Sequence, residues 1–241
     1  MNITNKKGTI LRDLESWRKG FIEVDTELHW QKGYSAYSLA EFILNHNGLH
    51  LINNLLQEVS DKKYNISSAI KACIEHESKF DNYRRGRMQD LAIFGENGTF
   101  FIGVEAKVDE TFGGTIQEAY NDGVKEKEEN PNSKKTQRVL ELVKKYYNQN
   151  DITEEIGKYR YQLLHYLAGS MAENYKLVLM PVIVFHTKEC PIVNGPNNKQ
   201  DYINFMKSLN FKESHTKDGY MAFYNNIDGI EIYSFYIEID L

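Results

Sequence analysis

The chain has 241 residues, of which 41% are hydrophobic and 12% aromatic, enough to build a sizeable core in one domain. Its net charge of −5 argues against a broad surface that coats nucleic acid, but not against a metal site built from clustered carboxylates. No apolar run approaches the length that spans a bilayer, about 20 residues, and the N-terminus leads into no signal core, so a cytoplasmic protein with no membrane partner is expected.

In chain order, the N-terminal third reads as helical. Ser35 opens a helix through Leu39, Ala40, Phe42, Ile43 and Leu44, and Asn47-Gly48 ends it. Leu49, Leu51, Ile52, Leu55, Leu56 and Val59 follow the same spacing. A third helix is expected from Asn65 or Ser67, burying Ile66, Ile70, Cys73 and Ile74 and ending in Glu75-His76-Glu77. Asp81 to Gly86 reads as a strand or turn. Asp90 to Phe94 and Thr99 to Val108 are apolar, partly β-branched runs around Glu96-Asn97-Gly98, a strong hairpin signal.

The stretch 110–157 is polar, broken at Asn130-Pro131-Asn132-Ser133, with an amphipathic helix marked by Val139, Leu142, Val143 and Tyr146. Tyr159 to Ala172 reads as a helix and Leu177 to Phe185 as a central strand. Tyr202 to Leu209 reads as a short helix, with strands at Tyr220 to Tyr224 and Ile230 to Ile239. The order points to a mixed α/β fold. Cys73 and Cys190, far apart and outside any C-x-x-C, give neither a disulfide framework nor a zinc site.

Register carries the chemical argument. With Asn97-Gly98 as a two-residue turn, Asp90 stands opposite Glu105, and Lys107 shares a strand face with Glu105. Like charges opposed on buried strands are costly unless a cation joins them, and Mg²⁺ takes one or two carboxylates plus water and phosphate oxygens. The pattern therefore points to a divalent-metal site, or else to a structural cluster bridged by Lys107.

These residues resemble the PD-(D/E)XK nuclease superfamily, whose acidic strand residue and following E-x-K read here as Asp90 and Glu105-Ala106-Lys107. The resemblance supplies a further glutamate, Glu75, on a helix before the hairpin. Arg160-Tyr161-Gln162-Leu163-Leu164-His165-Tyr166 is similar to a Q-L-x-x-Y helix motif of RecB-like members. A nearer likeness is to an uncharacterised bacterial family with V-E-x-K-V-D-E-x-F-G and R-Y-Q-L-L-H motifs, read here from Val104 to Gly113 and from Arg160 to His165.

The resemblance implies a restriction-endonuclease-like mixed sheet flanked by helices. It divides the domain into a helical N-terminal extension (1–64), a core (65–107 and 158–187), a helical insertion (108–157) and a C-terminal helix with strands (188–241). It implies phosphodiester hydrolysis with Mg²⁺ or Mn²⁺ held by Asp90, Glu105 and Glu75, with Lys107 and Gln162 completing the catalytic set. The expected partner is nucleic acid, DNA before RNA, with homodimer formation open. The competing reading is a catalytically silent module that binds nucleic acid or protein. Secondary candidates are His165, Tyr166, Asp109 and Glu110, the arginines Arg84, Arg85 and Arg87, and the basic run Lys134, Lys135, Arg138, Lys144 and Lys145, each with a structural or solvated role as the alternative.

Overall fold

The computed structural model describes residues 1–83, 85–190 and 195–241, without the side chains of residues 195 and 196. Their backbone forms one mixed sheet of eight strands, in the order β1 (Ile3–Thr4), β2 (Ala69–Ser78), β3 (Arg87–Gly95), β4 (Phe100–Lys107), β5 (Leu177–His186), β8 (Ile230–Asp240), β7 (Met221–Ile227) and β6 (Lys212–His215). The hairpins β2–β3, β3–β4, β7–β8 and β6–β7 are antiparallel, whereas β4–β5 and β5–β8 are parallel. The parallel centre explains the unbroken apolar run of β5, which is covered on both faces.

Three helices cover one face: α1 (Leu14–Ile22), α2 (Ser35–Asn45) and α3 (Gly48–Val59). Trp17, Phe21, Leu39, Phe42, Ile52 and Leu56 pack there on Ile74, Leu91, Ile93, Phe100, Ile102 and Val104. The other face carries α4 (Ile116–Glu129), α5 (Lys135–Tyr147), the short α6 (Glu154–Gly157), α7 (Tyr161–Ala172) and α8 (Gly195–Ser208). Leu163, Leu164 and Leu167 of α7 pack in one core with Ala92, Phe94, Phe101, Val178 and Met180. The 1–64 segment is therefore not an extension. It forms a full layer of the sandwich and supplies β1 to the sheet.

Two expectations change. Residues 69–78 form strand β2 rather than a third helix. The i, i+3, i+4 spacing of Ile70, Cys73 and Ile74 imitates a helical stripe, yet Ile70 is 70% exposed, and of the buried residues 72–74 only Ala72 and Ile74 join the core under the α1–α3 layer. The insertion holds a further helix, α4, set by a capping box in which Thr115 and Glu118 bond each other's backbone N–H. The hairpin agrees with the sequence: Asn97 (φ 51°) and Gly98 (φ 67°) make the mirror-image turn, and Leu91 pairs with Val104 and Phe94 with Phe101. No helix among the described residues is long and apolar enough to cross a membrane.

Candidate functional site

The site lies at the end of the sheet where β3 and β4 separate. Their ladder stops at Leu91 and Val104, and beyond it the Asp90 carboxylate accepts the Ala106 backbone N–H at 2.6 Å. Asp90 thus fills the gap between strands in place of a backbone bond.

Side-chain alternation breaks at this point in two strands together. On β2, Ile74 faces the α1–α3 layer while His76, two residues on, reaches Glu173 at the end of α7 and the Phe94 ring. On β3, Leu91 faces the α1–α3 layer while Gln89 donates to Ser170 of α7. The pairs Ile74–Leu91 and His76–Gln89 keep one register on either side of the gap at Glu75 and Asp90, so these two stand opposite each other at the reversal. Glu75 takes a left-handed backbone (φ 50°), which for a residue other than glycine costs of the order of 1–3 kcal/mol and clusters at functional sites.

Both carboxylates open on the α1–α2 side into a pocket of about 640 Å³ lined also by Phe21, His29, Tyr34, Asp109 and Glu110. Burial, then the Asp90 charge, hold the Glu75 carboxyl well above its ordinary range. Burial also raises Asp90, against the lowering charges of Arg87 and Lys107 and the Ala106 N–H bond. Glu75 and Asp90 are the pair that could hold a hard cation. Asp109 and Glu110 stand at the same wall, and Glu110 also accepts the N–H of the preceding Val108 at 2.9 Å, so it ties the end of β4 as well as lining the pocket. Sequence reasoning missed the wall supplied by Phe21, Asp25, His29 and Tyr34, because it comes from the layer taken for an extension.

Glu105 and Lys107 face the other way, toward α7. Glu105 is 2% exposed; its Oε1 accepts from Gln162 Nε2 at 2.8 Å and lies 3.1 Å from Lys107 Nζ, and its Oε2 is bound by Arg87. The structure brings Lys107 and Gln162 to Glu105 and sets Glu75 opposite Asp90; Asp90 turns into the gap between β3 and β4 rather than onto the Glu105 face, within charge range of Lys107. The turn register is as expected; the reversal at Asp90 overturns the shared face. The expected Glu75 helix is a strand. Among the described residues, no group of three or more His, Cys, Asp and Glu side chains is placed to share one metal ion.

Of the secondary candidates, Tyr166 is a core residue whose hydroxyl donates to the Gly103 and Pro181 carbonyls. His165 stands edge-on to Phe80 at 4.7 Å, and burial with the charges of Arg87 and Arg138 lowers it to about 3, which keeps it neutral. Arg138 binds Asp81 at 2.8 Å and packs on Phe80 and Tyr83, a tie between α5 and the β2–β3 loop. Arg85 is exposed, Arg87 is bound to Glu105, and Arg84 lies outside the described residues.

The family model described as Domain of unknown function (DUF6946) matches residues 11–241. The chain belongs to that family. No curated protein and no solved structure matches it. The DUF6946 match takes in both helical layers and the C-terminal strands, so the family unit includes the N-terminal layer that walls the carboxylate pocket.

Proposed function

We propose that the chain is a divalent-metal-dependent phosphodiester hydrolase of restriction-endonuclease-like fold, acting on nucleic acid with Mg²⁺ or Mn²⁺. The observation that carries this reading is the opposed pair Glu75 and Asp90, with Glu75 strained on β2 and Asp90 at the break between β3 and β4, beside the strand that bears Glu105 and Lys107. Strain and two facing carboxylates both cost stability, and a cation between the carboxylates offsets that cost.

Glu75 and Asp90 fit a hard divalent ion; Glu105, with both oxygens engaged, does not in this arrangement. A bound Mg²⁺ or Mn²⁺ supplies charge to polarise a phosphate oxygen and acidify water. Asp90, fixed by the Ala106 N–H, keeps one oxygen oriented at the pocket wall. Lys107, 6% exposed and 3.1 Å from Glu105, lies within charge range of Asp90, so its ammonium would act on a phosphate held beside the Asp90 carboxylate. Gln162 fixes the Glu105 carboxylate that anchors Lys107.

The test is a cleavage assay on single- and double-stranded DNA and RNA with Mg²⁺ or Mn²⁺, beside Lys107→Ala. Metal-dependent cleavage by the wild type, lowered about 10² to 10³-fold in Lys107→Ala with substrate affinity retained, is expected. No cleavage of any substrate with either ion replaces the hydrolase by a binding module of the same fold.

A further inference from the structure

Glu105 would ordinarily be sought among the metal ligands, yet its surroundings already satisfy it. Two cations and one amide surround one buried carboxylate: Arg87, Lys107 and Gln162. β3 comes close to α7 here: a Cβ at Gly169 would stand 2.5 Å from the Arg87 Cβ, so glycine at 169 permits this approach. The guanidinium lies 5.7 Å from the centre of the Tyr166 ring, and its charge acts on Asp90 and Glu75 on the far side. Arg87 therefore stands between the two halves of the site and neutralises the carboxylate that a second ion would need.

We propose that Arg87 is a resident cation in the place of a second divalent ion, so that the site takes up one ion through Glu75 and Asp90 and keeps Glu105 as the positioning residue of Lys107. This rests on the metal-site reading above and adds a stoichiometry and a division of labour to it. Guanidinium cannot be diluted away, so the charge beside Glu105 is independent of metal concentration.

The test is titration of the full chain with Mn²⁺, followed by calorimetry and by electron paramagnetic resonance to count bound ions. The wild type takes up one ion. Asp90→Asn and Glu75→Gln weaken it by about 10-fold or more, the scale of losing a partner of a metal site, while Glu105→Gln changes the affinity by less than about threefold. Arg87→Met, with Glu105 released, binds a second ion or binds Mn²⁺ more tightly. Should Arg87→Met fail to fold, Glu105→Gln decides alone. Two ions on the wild type, or a Glu105→Gln loss equal to that of Asp90→Asn, overturns the inference and leaves the hydrolase reading standing. A wild type that binds no Mn²⁺ overturns both.

Discussion

Glu75 carries two costs at once, a left-handed backbone and a carboxyl that burial and Asp90 disfavour as an anion. Its folded pKa lies above the ordinary 4.5, so the folded state holds the proton more firmly than the unfolded chain. From about pH 4.5 upward the folded state binds more protons than the unfolded one, and stability falls as pH rises. Asp90 and Asp25 press this way, and Lys6 and Arg87 oppose it. Glu75→Gln is therefore expected to raise the Tm of the metal-free protein at neutral pH, with no gain below pH 4. Thermal melts at pH 4 and pH 7 check this; equal melting of the two proteins at pH 7 would show that Glu75 bears no such cost. At this scale the Glu105-x-Lys107 pair was legible, because two residues apart on a strand fixes a shared face. Glu75 as the partner of Asp90 came only from the resemblance, because a reversal of alternation in two strands leaves no mark in hydrophobic spacing.

The elements that deliver these residues are β2, β3, β4 and α7, and their fit depends on close approach. Gly169 meets Arg87, and Gly103 on β4 leaves room for the Gln89 amide, which a Cβ would approach to 2.8 Å. Gly169→Ala would push against the first carbon of the Arg87 side chain, close to the backbone and unable to swing clear. Overpacking of this kind costs about 1–3 kcal/mol. A lowered Tm with Mn²⁺ affinity raised by displacement of Arg87 from Glu105 is expected; an unchanged Tm would mean that α7 and β3 sit farther apart than described. The Asn97-Gly98 hairpin was readable because its turn chemistry is local. Strand β2 was not, since Ile70, Cys73 and Ile74 match a helical stripe and only the β1 and β3 neighbours decide in favour of a strand. The Thr115-x-x-Glu118 box marks the start of α4 in the sequence, but the polar stretch around it carries little apolar periodicity to support a helix.

At the scale of the whole molecule, the sheet needs both helical layers. Mixed α/β order was legible from the apolar run of β5 and the hairpin, but which helices cover which face is a property of topology, and amphipathic helices α2 and α3 read the same in an appendage and in a core layer. The difference is energetic. Trp17, Phe21, Leu39, Phe42, Ile52 and Leu56 are all at most 4% exposed, and they cover Leu91, Ile93, Phe100, Ile102 and Val104, which are 0% exposed. Burying each large apolar side chain contributes about 1.5–3 kcal/mol, whereas a domain holds only about 5–15 kcal/mol of net stability. Removing 1–64 forfeits these six contributions, uncovers a whole apolar sheet face and strips β1 from β2. A fragment of residues 65–241 is expected to show no cooperative thermal transition and to bind a hydrophobic dye strongly, although it retains Glu75, Asp90, Glu105, Lys107 and Gln162. A fragment that melts cooperatively would return the N-terminal helices to the status of an extension. The same deletion removes Phe21, His29 and Tyr34 from the carboxylate pocket, so a folded fragment would still separate the two roles of the layer: Mn²⁺ affinity kept would assign the layer to stability, and affinity lost would assign it to the site.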